Sequence, residues 1–350
     1  MKLSQVSDRL LEPPAYDDRP LWDIWLSVFH LPLLIAADGL GLFAFLGPAP
    51  ATAAEVAGGL SLSLRSADAI LGTLTALGCL VQYHERFHLT ELARTYLLPA
   101  SPYYYGGMLQ AYRSAAAITG EVVERVVRQG KPFRDAQPDD TAQSWASGEL
   151  SAEQAALSTA EMHSLGFPAA MGMARLGLFG GVKRLLDVGG GSGCFSIALA
   201  DRHPALCCTV LDLPPVCTLA GQHILRAGLK EHIDTYAANM FGDPWPSGYD
   251  AVLLSNILHD WDSASCLQLV RKSFAVLPPG GQLYVHEVLL EDGKDGPLAA
   301  TTFSLLMLFA MRGRQFSAAS LASLLTEAGF GETTFTPAYG YYSLICATKP

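Results

Sequence analysis

The stretch RLLDVGGGSGCFSIALADRHP, residues 184–204, constrains the fold more than any other part of the sequence. A short strand-forming run enters a turn holding Gly189, Gly190, Gly191 and Gly193, and a helical segment leaves it. Glycines at such a turn adopt positive φ and let the backbone approach a ligand closely. Open α/β sheets bind ligands at that place, outside the carboxyl end of the first strand. From about residue 183 onward, β-rich runs alternate with helical segments, so an α/β fold with a mostly parallel sheet is expected.

The turn departs from the dinucleotide fingerprint G-x-G-x-x-G, because the sixth position counted from Gly189 is Cys194. What remains is G-x-G-x-G, with Asp187 two residues ahead of the first glycine. That form points to S-adenosylmethionine. Asp187 would accept from the cofactor's ammonium while Gly189, Gly191 and Gly193 pass under its sulfonium and ribose. The second strand, CCTVLDLP, ends at Asp212 beside Leu213, where an acid can accept from both ribose hydroxyls. After the third strand, YAANMFGDPWP offers Asn239, Met240 and Phe241 to the adenine. No later motif supplies a hydride-transfer constellation, which argues against a nicotinamide cofactor.

The fourth strand, DAVLL, runs into SNILHDWD, and the fifth is QLYVHEVLL. Neighbouring parallel strands present their carboxyl ends to one crevice, so His259 and Glu287 should converge there, with Ser255 and Asn256 beside the cofactor. Methyl transfer from a sulfonium needs an acceptor that is positioned and deprotonated. A histidine is poised for that step, and a carboxylate behind it fixes its tautomer and stabilises the imidazolium. Read blandly, His259 merely finishes a strand, and Asp260 and Asp262 favour the positive end of the following helix. Strand alternation turns His286 and Glu287 to opposite faces, so one of them joins His259. A metal held by His259 with Glu287 or Asp260 is the competing chemistry, and no metal is expected.

Residues 1–105 are read as a winged-helix-like dimerisation domain. TAAEVAGGL and SLRSADAILGTLTALGCL form two helices, and VQYHERFHLT forms the wing. A DNA-binding role would need cations on the second helix, and that helix carries Arg65 alone. The formal charge of −10 also argues against a nucleic-acid partner. Residues 106–180 are read as a helical linker and pocket region, and residues 181–350 as the cofactor-binding catalytic domain. Tyr104, Met162, His163 and Phe167 have pocket-lining character, facing Trp261, Phe303, Met307 and Met311 of the catalytic domain. The apolar stretch from Leu21 to Gly47 is broken by Asp23, His30, Pro32 and Asp38. It lacks a clean run of about 20 apolar residues and is read as interface helices, with no membrane partner. Scattered cysteines and a polar amino terminus suit a cytoplasmic protein.

From about residue 20 to its end, the chain resembles the plant-type and acetylserotonin-like class I O-methyltransferases. LLDVGGGSG, LDLPPV, DPWP, ILHDWD, LPPGGQLYVHE, DGPLAA and LLTEAGF carry the resemblance in order and spacing. It implies a Rossmann-like domain with a seven-stranded sheet and a winged-helix homodimer. By position it implies His259 as base, Glu287 flanking it and Asp260 in the same signature. The expected reaction is methylation of a hydroxyl on a small apolar aromatic metabolite of specialised metabolism. Methylation of an activated carbon (a 2-oxo acid enol or a tetrapyrrole) or of nitrogen is the alternative, and a non-catalytic winged-helix regulator the remote one. Asn239, Asn256 and Gln315 depart from the family pattern. Gln315 stands where relatives place a second flanking carboxylate, so His259 is expected to have one carboxylate and reduced basicity.

Overall fold

The computed structural model describes residues 17–113, 118–130, 132 and 141–350. The chain divides into two compact units, Met1–Tyr104 and Tyr105–Pro350.

The first unit opens with α1 (Arg19–Leu26), α2 (His30–Gly39) and α3 (Leu42–Leu46). β1 (Ala51–Thr52), α4 (Ala53–Gly59) and α5 (Leu64–Ala76) follow, then β2 (Leu80–Tyr83), β3 (Arg86–Leu89) and α6 (Glu91–Tyr96). Thr52 starts α4 through a capping box with Glu55, and Ser63 caps α5, so both helix starts are set by side chains in the sequence. β3 lies between β1 and β2, antiparallel to each. This is the helix, helix and wing order read from the sequence. Phe43, Leu46, Val56, Leu71 and Leu74 form a dry centre, whereas α1 leaves Leu21, Trp22, Ile24 and Trp25 exposed.

The second unit begins with α7 (Gly106–Arg113), α8 (Gly120–Gln129), α9 (Thr141–Ser147) and the long α10 (Ala152–Ala174). β4 (Arg184–Val188), α11 (Cys194–Arg202), β5 (Cys207–Asp212), α12 (Pro214–Arg226) and β6 (Ile233–Ala237) come next. The rest is β7 (Ala251–Ser255), α13 (Ser263–Val276), β8 (Gln282–Val288), α14 (Leu298–Ala310), α15 (Ala318–Glu327), β9 (Thr333–Tyr339) and β10 (Tyr342–Thr348). The helices expected as a separate linker over 106–180 fall inside this unit, with α10 packed on α11 and α12.

The seven strands run in the order β6-β5-β4-β7-β8-β10-β9. β6, β5, β4, β7 and β8 are parallel, and β10 pairs antiparallel with both β8 and β9. Parallel strands covered on both faces read as nearly unbroken apolar runs, which is why RLLDV and AVLL lack polar alternation. Leu186, Val188, Val252, Leu254, Leu283 and Val285 fill one face of the sheet. Leu185, Leu253, Tyr284 and Leu344 fill the other. β4 sits between β5 and β7. After running outward through β5 to β6, the chain crosses back to the other side of β4, which makes the ends of β4 and β7 a point of reversal in strand order. A crevice opens at such a reversal.

Candidate active site

A cavity of about 340 Å³ lies at the carboxyl ends of β4, β5 and β7, within the second unit. Its floor is the glycine turn. Gly189 has φ +65°, and a Cβ there would collide with the Ile257 side chain, so the turn closes against the β7 loop only without a side chain. Gly190, Gly191 and Ser192 line the cavity, whereas Gly193 lies outside that lining and forms the left-handed N-cap of α11.

Two acids hold the floor. Asp187, at 1% exposure, accepts a 2.7 Å hydrogen bond from Ser196 at Oδ2, while its Oδ1 is buried without a partner. Burial pushes its pKa up to about 6 despite that bond. Asp212 accepts from the Gly191 amide (2.9 Å) and the Leu213 amide (2.7 Å) and is likewise raised by burial to about 6. Leu213, Met240, Ser255 and Asn256 line the cavity. Ser255 Oγ bonds His286 Nδ1 at 3.0 Å, and the Asn256 amide bonds the Tyr342 hydroxyl. Asn239 ties its loop to α9: Nδ2 donates to the Ala146 carbonyl (2.9 Å) and Oδ1 accepts from the Phe241 amide (2.8 Å). Neither Asn239 nor Phe241 is among the residues lining the cavity, and Phe241 packs edge-on against Trp261. Both shape the loop that carries Met240.

The candidate reacting end is built where β7 leaves the sheet. After Ser255 the chain turns through Asn256 at φ +55° into a short helical turn, Leu258–Asp260, that delivers His259. Glu287 shares the sheet face of Leu283 and Val285, the face on which Leu258 also packs. Its Oε1 accepts from the Leu258 amide (3.1 Å) and the His259 amide (3.4 Å), and its Oε2 meets His259 Nδ1 at 2.5 Å. His286 points the other way, stacking on Tyr342 and meeting Phe195 edge-on. His259 Nε2 lies 3.4 Å from Asp260 Oδ1. The ring therefore has two carboxylates, not one. The sequence, with Gln315 where relatives place the second carboxylate, led to an expectation of one, but the neighbour Asp260 supplies another. Gln315 is buried with both amide atoms unpartnered.

His259 is 3% exposed. Burial alone would lower its pKa, but the charges of Glu287 and Asp260 outweigh that and raise it to about 9. The two carboxylates thus hold the ring above its ordinary value. Burial raises Asp260 to about 6. Gly313 packs so closely on the His259 carbonyl and the Trp261 amide that a Cβ could not fit, and the Arg312 amide donates to the Asp260 carbonyl at 3.0 Å.

The wall is apolar. Phe303, Leu306, Met307 and Ala310 present one face of α14, continued by Met311, and the Phe303 ring centre lies 5.0 Å from that of His259. Trp261, Tyr112, Trp145, Met162 and Leu165 complete it. Leu306 and Ala310 were absent from the sequence reading, although 3.6-residue spacing from Phe303 and Met307 marks them. Nothing in the sequence marks Trp145 or Tyr112. Phe167 and His163 lie outside the cavity lining. His163 stands behind the glycine turn: Nδ1 shares a 2.8 Å bond with Ser192 Oγ, and the ring stacks between Phe167 and His223. Burial lowers its pKa to about 4, so it is neutral there. Tyr104 belongs to the first unit, where its hydroxyl donates to Asp38 Oδ1 at 2.6 Å. Among the described residues, no group of three or more His, Cys, Asp or Glu side chains has the arrangement to hold a metal ion.

A family model described as the O-methyltransferase domain matches residues 149–331. A 3-hydroxy-5-methyl-1-naphthoate 3-O-methyltransferase from Streptomyces sahachiroi is 36% identical over 314 residues, covering 89% of each chain. This chain belongs to the O-methyltransferase family. The human N-acetylserotonin methyltransferase structure, solved with S-adenosylmethionine, superposes with a TM-score of 0.83 at 26% identity, covering 97% of this chain and 99% of that one. An L-tyrosine C(3)-methyltransferase from Streptomyces lavendulae is 35% identical over 175 residues, 48% of each chain. The protein is an S-adenosylmethionine-dependent O-methyltransferase of small metabolites. Its residues fit that cofactor: the orphaned carboxylate oxygen of Asp187 suits an ammonium, and Asp212 is anchored by two amides with lone pairs left for hydroxyls.

Proposed function

We propose that this methyltransferase acts on the hydroxyl of an apolar aromatic compound, with His259 as general base. The observation that carries the reading is buried His259, backed by Glu287, facing the cavity beside the apolar face of α14. Bound S-adenosylmethionine supplies a methyl group already activated on a sulfonium. Asp187 and Asp212 hold the ammonium and ribose, and the glycine turn keeps the backbone clear of the donor. Phe303, Met307 and Met311 press a flat ring against the His259 edge and exclude water. Neutral His259 takes the hydroxyl proton at Nε2, while Glu287 holds Nδ1–H and stabilises the resulting imidazolium. Asp260 faces the same Nε2 and must yield that atom to the hydroxyl.

The test is His259→Ala. Turnover should fall by at least about 10²-fold while S-adenosylhomocysteine binds unchanged in calorimetry; near-normal turnover would sink the base assignment. The S. lavendulae relative supports a second reading, transfer to a ring carbon activated by the same deprotonation. NMR of the product made with a ¹³C-methyl donor separates oxygen from carbon attachment.

The assembled form in this proposal is a homodimer through the first unit. Leu21, Ile24, Trp25, Val28 and Phe29 are each more than 60% exposed, a contiguous apolar surface of the kind that partners cover. The helical stretch Arg19–Gly39 is also long and apolar enough to cross a membrane by length and composition. Asp23 and Asp38 within it favour a protein partner. Light scattering should give twice the chain mass, and Ile24→Glu with Trp25→Glu should give the monomer. A monomeric wild type, or one that floats with liposomes, refutes the dimer.

A further inference from the structure

Behind the cavity wall, Lys272 of α13 reaches back to the loop between β6 and β7. Its Nζ donates to the carbonyls of Met240 (2.6 Å), Phe241 (3.0 Å) and Asp243 (2.7 Å). An ammonium has three N–H donors and no acceptor, so each proton meets one carbonyl. Nζ also lies 5.1 Å from the centre of the Trp245 ring, whose Nε1 donates to the same Met240 carbonyl at 2.9 Å. Gln268, one turn earlier on α13, adds a 3.2 Å bond to the Phe241 carbonyl. The loop is also closed on itself: the Asn239 amide donates to the Asp243 carboxylate (2.8 Å), and the Asp243 amide to the Asn239 carbonyl (3.0 Å). Lys272, Gln268 and Trp245 lie outside the cavity lining, whereas Met240 is part of it. The Met240 sulfur comes within 3.9 Å of the point where a Cβ on Gly189 would stand, so it hangs over the glycine turn.

We propose that Lys272 is a positioning residue for the methyl donor: its ammonium gathers three loop carbonyls and thereby fixes Met240 in the cofactor wall. The proposal rests on the cofactor assignment and is independent of the base and acceptor readings. Three carbonyl dipoles aimed at one point repel one another unless a cation sits between them. Without that charge, the Trp245 indole and the Gln268 amide would be left to hold the loop. The Met240 side chain is unbranched and adaptable, so the backbone that carries it decides where its sulfur lies. A loop free to relax therefore loses the Met240 contact with the cofactor. That contact is made in the ground state and the transition state alike, so its loss weakens binding and leaves the chemical step alone.

The experiment uses Lys272→Met, which keeps an unbranched apolar stem and removes the charge. Affinity for S-adenosylhomocysteine, read by calorimetry, should fall at least about tenfold as the charge-assisted bonds are lost. KM for S-adenosylmethionine should rise by the same factor, while kcat at saturating donor changes by less than about twofold. Met240→Ala tests the route: in that background, adding Lys272→Met should cost less than about threefold more. Trp245→Phe takes one donor from the Met240 carbonyl and keeps a ring beneath Nζ, so it should weaken S-adenosylhomocysteine by about threefold. This milder variant carries the test if Lys272→Met does not fold. Wild-type affinity in folded Lys272→Met, or in Trp245→Phe, overturns the proposal. An equal loss with and without the Met240 side chain also overturns it, because Lys272 would then support the fold at large. A fall in kcat with affinity unchanged overturns it as well, since Lys272 would then act on the chemical step.

Discussion

Replacing Glu287 by Gln isolates the electrostatic part of the proposed base. The carboxylate lies 2.5 Å from His259 Nδ1 and also accepts from two backbone amides, so an amide of the same shape keeps the space filled while removing the charge. In the intact site His259 titrates near 9, raised from 6.5. Only roughly 1% of it is the neutral base at pH 7, because each pH unit below the pKa costs tenfold. The wild-type kcat/KM should therefore climb about tenfold per pH unit through the neutral range and level off near pH 9. In Glu287→Gln the burial that lowers the pKa remains while the largest opposing charge is gone, so the midpoint should move down by at least one unit. The plateau itself should fall by roughly 10² to 10⁴-fold, since the ring loses its tautomer lock and the imidazolium its counter-charge. The assay is the pH dependence of initial rates with one acceptor from pH 6 to 10. S-adenosylhomocysteine affinity serves as the control, because Glu287 lies outside the cavity lining. A midpoint that stays near 9 in the variant would refute the reasoning, because Glu287 would then not be what raises it. The same raised pKa has a stability consequence of definite sign. The protonated His259 stabilises the fold fully below about pH 6.5, and that contribution is lost as pH rises through about 9.

Two further substitutions probe the rest of the site. Asp187→Asn keeps the Ser196 contact in reach but removes the charge facing the expected ammonium, so the dissociation constant for S-adenosylmethionine should rise at least about tenfold; calorimetry showing unchanged affinity would remove Asp187 from the cofactor site. Gly313→Ala forces a methyl group into the His259 carbonyl and the Trp261 amide, so kcat should drop with little change in S-adenosylhomocysteine affinity, and wild-type kcat would show that the loop moves aside at no cost.

What could be read in advance follows from how local each cause is. Strand, glycine turn and helix are dictated within twenty residues, so β4, its turn and α11 appear in the sequence as they do in space. The opposed directions of His286 and Glu287 follow from alternation along one strand. The partners of the His259 ring were less legible. Asp260 is adjacent in the chain, but only the tight Leu258–Asp260 turn brings its carboxylate back to Nε2. Asn239 lies outside the cavity lining for the same reason, since its amide turns to a carbonyl 93 residues away on α9, a contact no local pattern reports. Tyr104 and Trp145 show the limit most directly. Both are aromatic residues in helical or turn segments, yet one bonds Asp38 in the first unit and the other lines the cavity of the second.

The pairing of β8 with β7 and β10 has a bearing on how such an enzyme changes over time. Glu287 is locked in register opposite Ser343, with His286 opposite Leu344. A single inserted residue in that strand would exchange a carboxylate for an imidazole at the reacting face and put an acid among Phe195 and Tyr342. The acceptor wall on α14 has no such constraint, because its side chains answer to shape and polarity alone. On the proposed reading, proton handling is fixed by a strand that tolerates no slippage, while acceptor choice is set on a helix. In that proposal, substitutions on α14 would change the acceptor while leaving the His259–Glu287 pair in place.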